Sequence, residues 1–184
     1  MDSKQMRRLC AGLLENLAPQ HDPGALFTAL CDRMGERHDQ PVVHRTVAFP
    51  TGTVSGMWVA TETQHLVLIE ANTAPDHQLV ILGHELWHME AHQSAIRPLP
   101  ADETTPLLKP DPDAATVRHI ATRMAARTDY CEDDEAEAEY FGSLLGSKAR
   151  RLLVTAPGSP LSQQDAALTH RLETSLGRHN GGAA

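Results

Sequence analysis

Met6, Leu9, Cys10, Leu13, Leu14 and Leu17 recur at three- and four-residue intervals, the period of an amphipathic helix. Leu26, Phe27, Leu30 and Met34 repeat the pattern in "HDPGALFTALCDRMGERHD". Asp22 is suited to cap this second helix, and Pro23 to occupy its first position. The pattern changes at Pro41. "VVHRTVAF" is rich in β-branched residues, "PTGTVSG" is turn chemistry, and "MWVATE" and "HLVLIEA" read as strands, with a hairpin turn near Thr63 and Gln64. Helical spacing returns in "TAPDHQLVILGHELWHMEAH", where Leu79, Leu82, Leu86 and Met89 form the stripe to be buried and Thr73 is the expected cap. "SAIRPLPADETTPLLKPDPD" holds five prolines in twenty residues and reads as a loop. Because it follows the histidine-rich helix, it is also a candidate flap over that helix's chemistry. "DAATVRHIATRMAAR" and "CEDDEAEAEYFGSLLGSKARRLL" are further helices. The second is acidic first and basic last, the order favoured by the helix dipole. "LSQQDAALTHRLETSLG", capped by Ser162, is read as a last helix before a frayed tail.

These elements predict an α+β, mainly helical domain with a small antiparallel sheet of about three strands packed beside the histidine-rich helix. Residues 1–40 form a helix pair packed on the core, 41–150 the core itself, and 151–184 a terminal helix and tail. A length of 184 residues suits such a single compact unit. With 41% hydrophobic but only 4% aromatic residues, the core must be built mainly of Leu, Val, Ala and Ile. A net charge of −8 argues against direct binding to nucleic acid, which needs clustered cations. No apolar run is long enough for a membrane span, and no signal peptide is evident, so the expected location is the cytoplasm. Cys10, Cys31 and Cys131 are scattered and odd in number. They fit a reducing compartment better than a disulfide framework.

The segment with the clearest chemistry is "GHELWHMEAH", Gly83 to His92. Positions four apart on a helix differ by only about 40° in direction, so His84 and His88 project from one face. At that spacing two imidazole nitrogens reach one metal ion at roughly 2.0–2.1 Å. Glu85, about 100° round the helix, is displaced from the ligand position but within reach of a water on the metal. This is the HExxH zincin signature, with the glutamate as general base. His92 is about 12 Å along the axis from His84 and is read as a neighbour of the site.

A catalytic zinc site normally has three protein ligands and one open position. "HMEAHQSAI" lacks the Gly and His of an elongated metzincin-type motif, so the third ligand must come from downstream. "EDDEAEAEYFGSLL" is the candidate segment. Glu135 and Glu139 are one turn apart on a face shared with Ala138, Gly142 and Leu145. Glu137 lies on another face with Phe141 and Leu144. The competing interpretation is a solvated acidic helix start matched to the dipole.

"HLVLIEANTAPDHQLVILGHELWHMEAH" followed by "EAEAEYFGSLL" resembles the ImmA/IrrE family of metallopeptidases, within the gluzincin group. The resemblance covers roughly residues 42–146. Aligned on Phe141, it implies Glu135 as third zinc ligand, with Glu137 and then Glu132 as the next candidates, and Glu139 as a support for a ligating histidine. The sequence departs from the family pattern at Gly142 and Ser143, where Ala-Ala is common. It departs again at Trp87, where glycine is usual, and in "LLGS", which replaces "LLMP". The implied function is a cytoplasmic zinc-dependent endopeptidase of regulatory type. One Zn2+ would be held by His84, His88 and Glu135, Glu85 would be the catalytic base, and a helix-turn-helix transcriptional repressor would be the protein partner. Tyr130, His119 and Tyr140 are candidates for stabilising the oxyanion. The alternatives are a non-catalytic zincin-fold interaction protein, such as the toxin component of a toxin–antitoxin pair, and a purely structural zinc domain.

Overall fold

The computed structural model describes residues 3–109, 112–125 and 130–154. Helices α1 (Ser3–Leu14) and α2 (Pro23–His38) are followed by strands β1 (Val42–Val47), β2 (Gly56–Ala60) and β3 (His65–Glu70). Helix α3 (Pro75–His92) comes next, then a short α4 (Ala101–Thr104) with a 3₁₀ turn at Thr105–Leu108, then α5 (Ala114–Ala125) and α6 (Glu132–Ala149). The chain is α+β and mainly helical, as expected. The terminal helix expected around Ser162 lies outside the described residues.

The sheet differs from expectation in one respect. It is mixed, not antiparallel: the order is β1-β3-β2, with β3 antiparallel to β2 and parallel to β1. β3 is the continuous apolar run "HLVLIE", and such a run is most stable where both of its faces are covered. It therefore enters between the two earlier strands. Its alternating side chains divide between two cores. Val67 and Ile69 join Trp58 and Ala60 on one face. Leu66 and Leu68 join Met57 and Val59 on the other.

The first core is formed against α1, α2, α3 and α6, so the N-terminal helix pair shares the core of the rest. Asp22 caps α2 as its sequence predicts, accepting from the N–H groups of Gly24 and Ala25 at 3.1 and 3.2 Å. The predicted stripe of α3, Leu79, Leu82, Leu86 and Met89, has no exposed surface. Its expected cap, Thr73, is not used. Ala74 precedes the helix in extended conformation without a side-chain bond, and Pro75 opens it. Proline's fixed φ and missing N–H supply the start without a cap.

The second core corrects the reading of the proline-rich stretch as a simple loop or flap. Leu99 and Leu107 are buried in it beside Val117, Ile120 and Met124 of α5. The Leu99 N–H donates to Ala60 O at 2.8 Å, which ties the stretch to the end of β2. The prolines limit regular structure to α4 and the 3₁₀ turn, but the apolar residues between them still cover the lower face of the sheet.

Candidate metal centre

α3 and α6 make the most extensive contact between elements in the fold. Glycines permit it. A Cβ on Gly142 would lie 2.6 Å from Val80 O and 3.1 Å from His84 N, and one on Gly83 would lie 2.9 Å from the Gly142 Cα. One turn along the same side of α3, Trp87 packs on Phe141 with ring centroids 5.1 Å apart. Trp87 is buried with no partner for its indole N–H among the described residues, so it acts as a packing block at the position where the family resemblance has glycine.

This close approach brings His84, His88 and Glu135 together. The His84 and His88 Nε2 atoms are 3.0 Å apart. Glu135 places Oε2 3.5 Å from His84 Nε2 and Oε1 3.5 Å from His88 Nε2. Four ligands at roughly 2.0–2.1 Å around a tetrahedral zinc are separated by about 3.3 Å, so the spacing of the donors fits such an ion. It is the one cluster of this kind among the described residues. Glu137 is half-buried and Glu132 exposed, and neither belongs to it.

The electrostatics suit ligation too. Burial lowers the pKa of His84, against the opposing pull of Glu135 and Glu139. Burial, with His84 and His92 nearby, pushes His88 down to about 3. Both rings are therefore neutral near pH 7 and present lone pairs, the form that binds metal.

Glu85 is buried beside the triad at 8% exposure. Burial pushes its carboxyl up to about 8, although its Oε2 accepts the Trp58 N–H at 2.8 Å. β2 is thus bonded to α3 through the Glu85 carboxyl group. Gly56 is essential to this seating: a Cβ there would lie 2.6 Å from Glu85 Oε1 and 2.5 Å from Ile81. In the sequence, Gly56 reads only as part of a turn.

The triad opens into a cleft of about 740 Å³ between β2, α3, α5 and α6, with Met57, Ile81 and Met124 among its apolar walls. Of the three oxyanion candidates, only Tyr130 lines it. Its ring stacks on His88 with centroids 4.0 Å apart and planes at 11°. His119 and Tyr140 are exposed on α5 and α6. His88 Nδ1 has no hydrogen-bond partner among the described residues. Metal-bound histidines usually gain one there, so here the Tyr130 stack holds the ring. His92 is not part of the triad. Its Nε2 faces Asp134 Oδ1 at 3.6 Å, and its ring meets Tyr130 at 4.8 Å. Glu139 lines the cleft close enough to act on His84.

The arrangement offers three donors that could hold a metal ion, with a buried carboxyl group beside them and an open cleft. No helix among the described residues is long and apolar enough to cross a membrane. Searches of protein-family models, curated proteins and solved structures return no match for this chain.

Proposed function

We propose that the chain is a zinc-dependent regulatory endopeptidase whose substrate is a helix-turn-helix transcriptional repressor. The convergence of His84, His88 and Glu135 beside the buried Glu85 carries this reading. Three donors are the number usual for catalytic zinc, whereas structural sites take four. The HExxH pattern and the resemblance to the ImmA/IrrE family supply peptide as the substrate class and the repressor as partner.

When bound, the zinc ion supplies a Lewis acid and acidifies nearby water. The two imidazoles and the Glu135 carboxylate would hold it. Glu85 keeps Oε2 on the Trp58 N–H, which leaves Oε1 to take a proton and return it to a leaving amine. A carboxyl raised towards neutrality suits that exchange, and a neighbouring cation favours its ionised form.

The test is metal analysis and repressor cleavage by purified protein. Wild type binds one zinc per chain, and Glu135→Ala loses it while Glu137→Ala keeps it. Glu85→Gln retains zinc and the Trp58 contact, and its cleavage rate falls by about 10²–10⁴. Retention of zinc in Glu135→Ala with loss in Glu137→Ala would move the third ligand. Full biological effect in Glu85→Gln would mean that the protein acts by binding, as an interaction component.

A further inference from the structure

Away from the metal cleft, α1 and α2 enclose a groove of about 620 Å³ that shares no lining residue with it. One wall is the stripe Arg8, Leu9, Gly12 and Leu13 of α1; the other is Arg33, Glu36 and Arg37 of α2. Leu9 and Leu13 form an apolar floor at 7% and 3% exposure.

Two observations point to an occupant. The first is charge. The chain carries −8 overall, yet α1 contains Lys4, Arg7 and Arg8 and no acidic residue. Arg8 has no carboxylate partner among the described residues, while Arg33 pairs with the exposed Glu36 at 3.2 Å and donates to Glu15 O at 3.4 Å. Exposed pairs of that kind contribute little and exchange partners readily. The second is Gly12. A glycine inside a helix weakens it relative to alanine, because the unfolded chain has more freedom to lose. Gly83 and Gly142 are required by packing, but among the described residues a Cβ on Gly12 would meet nothing within 4 Å. No packing contact among the described residues requires this glycine. It keeps the groove floor low enough for another chain to approach.

We propose that this groove docks an acidic, amphipathic segment of a partner protein. The partner's carboxylates pair with Arg8 and Arg33, and an apolar side chain sits over Gly12 between Leu9 and Leu13. Arg37 links the groove to the metal helix, because its guanidinium grips both Glu90 oxygens at 2.8 and 2.6 Å, and Glu90 lies two residues beyond His88. The site does not depend on the metal chemistry and stands or falls separately from the peptidase reading.

The probe is a synthetic amphipathic helix of about 20 residues with a glutamate face and a leucine face, alongside its lysine counterpart, titrated into the full chain and followed by backbone amide NMR. The acidic peptide should bind in a salt-sensitive manner and shift amides within 5–13 and 33–37, while the lysine peptide does not bind. Arg8→Glu with Arg33→Glu should weaken binding at least tenfold. Gly12→Trp should do the same by filling the groove, with zinc content unchanged in both variants. Equal binding of the two peptides, or shifts confined to the metal cleft, would overturn the proposal. So would a dimer of the free chain that Gly12→Trp abolishes, which makes the occupant a second copy. Binding to phosphatidylglycerol vesicles at the groove in preference to the acidic peptide would overturn it as well, in favour of an anionic lipid surface.

Discussion

Tyr130 shows how much one ring contributes to the site. A histidine ligand is useful only if its ring is held at the right angle, and the usual clamp is a hydrogen bond to the nitrogen not bound to metal. His88 Nδ1 lacks that partner among the described residues, and the 4.0 Å stack on Tyr130 takes its place. Tyr130→Ala should therefore weaken zinc binding by about 10–100-fold, the range seen when such supports are removed. Tyr130→Phe keeps the stacking surface and should keep affinity within about twofold of wild type. Competition against a chromophoric zinc chelator measures both. Equal loss in the two variants would mean that the hydroxyl, not the ring face, supports His88.

At the scale of elements, the candidate metal site is a product of how closely α6 approaches α3. Glu135 reaches the two histidines only because Gly142 admits the backbone of Val80 and His84. Gly142→Ala places a methyl group 2.6 Å from Val80 O. The helices must then separate, at about 1–3 kcal/mol of overpacking, and zinc affinity should fall with stability. Gly12→Ala is the matched control. It adds the same atom to open space within a helix and should stabilise by about 0.5–1 kcal/mol. Urea unfolding of the two variants beside wild type should thus give shifts of opposite sign. A neutral or stabilising Gly142→Ala would show that α6 approaches α3 for another reason.

For the molecule as a whole, His65 ties stability to pH. It is 2% exposed in the sheet, accepts the Trp58 indole N–H at 3.2 Å through Nδ1, and lies beside the Gln93 amide. Burial, with His38 nearby, pushes it down to about 4. Above its ordinary value near 6.5 the ring is neutral whether folded or unfolded, so it adds no pH dependence. Between about 6.5 and 4 the unfolded chain takes the proton and the folded one does not, so stability falls as pH falls. The full effect is on the order of 3 kcal/mol, at about 1.4 kcal/mol per pH unit. His65→Gln can still accept from Trp58 and should flatten this acid limb in urea unfolding measured from pH 7.5 to 4.5. An unchanged slope would assign the limb to other groups.

The longer helices α1, α2, α3, α5 and α6, the strands and the candidate donor pair were legible in the sequence, because each depends on spacing along one element, whereas α4 and its 3₁₀ turn were read as loop. The period of α3 places His84 and His88 on one face whatever surrounds them, and Asp22–Pro23 starts α2 by purely local bonds. The third donor was narrowed to an acidic helix, but periodicity alone did not separate Glu135 from its neighbours. That choice depends on the angle and depth at which α6 meets α3, and so on glycines whose meaning appears only when another backbone lies against them. The strand order was hidden for a similar reason. An apolar run shows that β3 is covered on both faces, but not which neighbours pair with it. The Trp58–Glu85 bond, the Tyr130 stack and the groove at Gly12 join residues far apart in the chain. They exist because tertiary packing desolvates some groups, aligns others and leaves Gly12 in the groove lining with no described residue within 4 Å of a Cβ there.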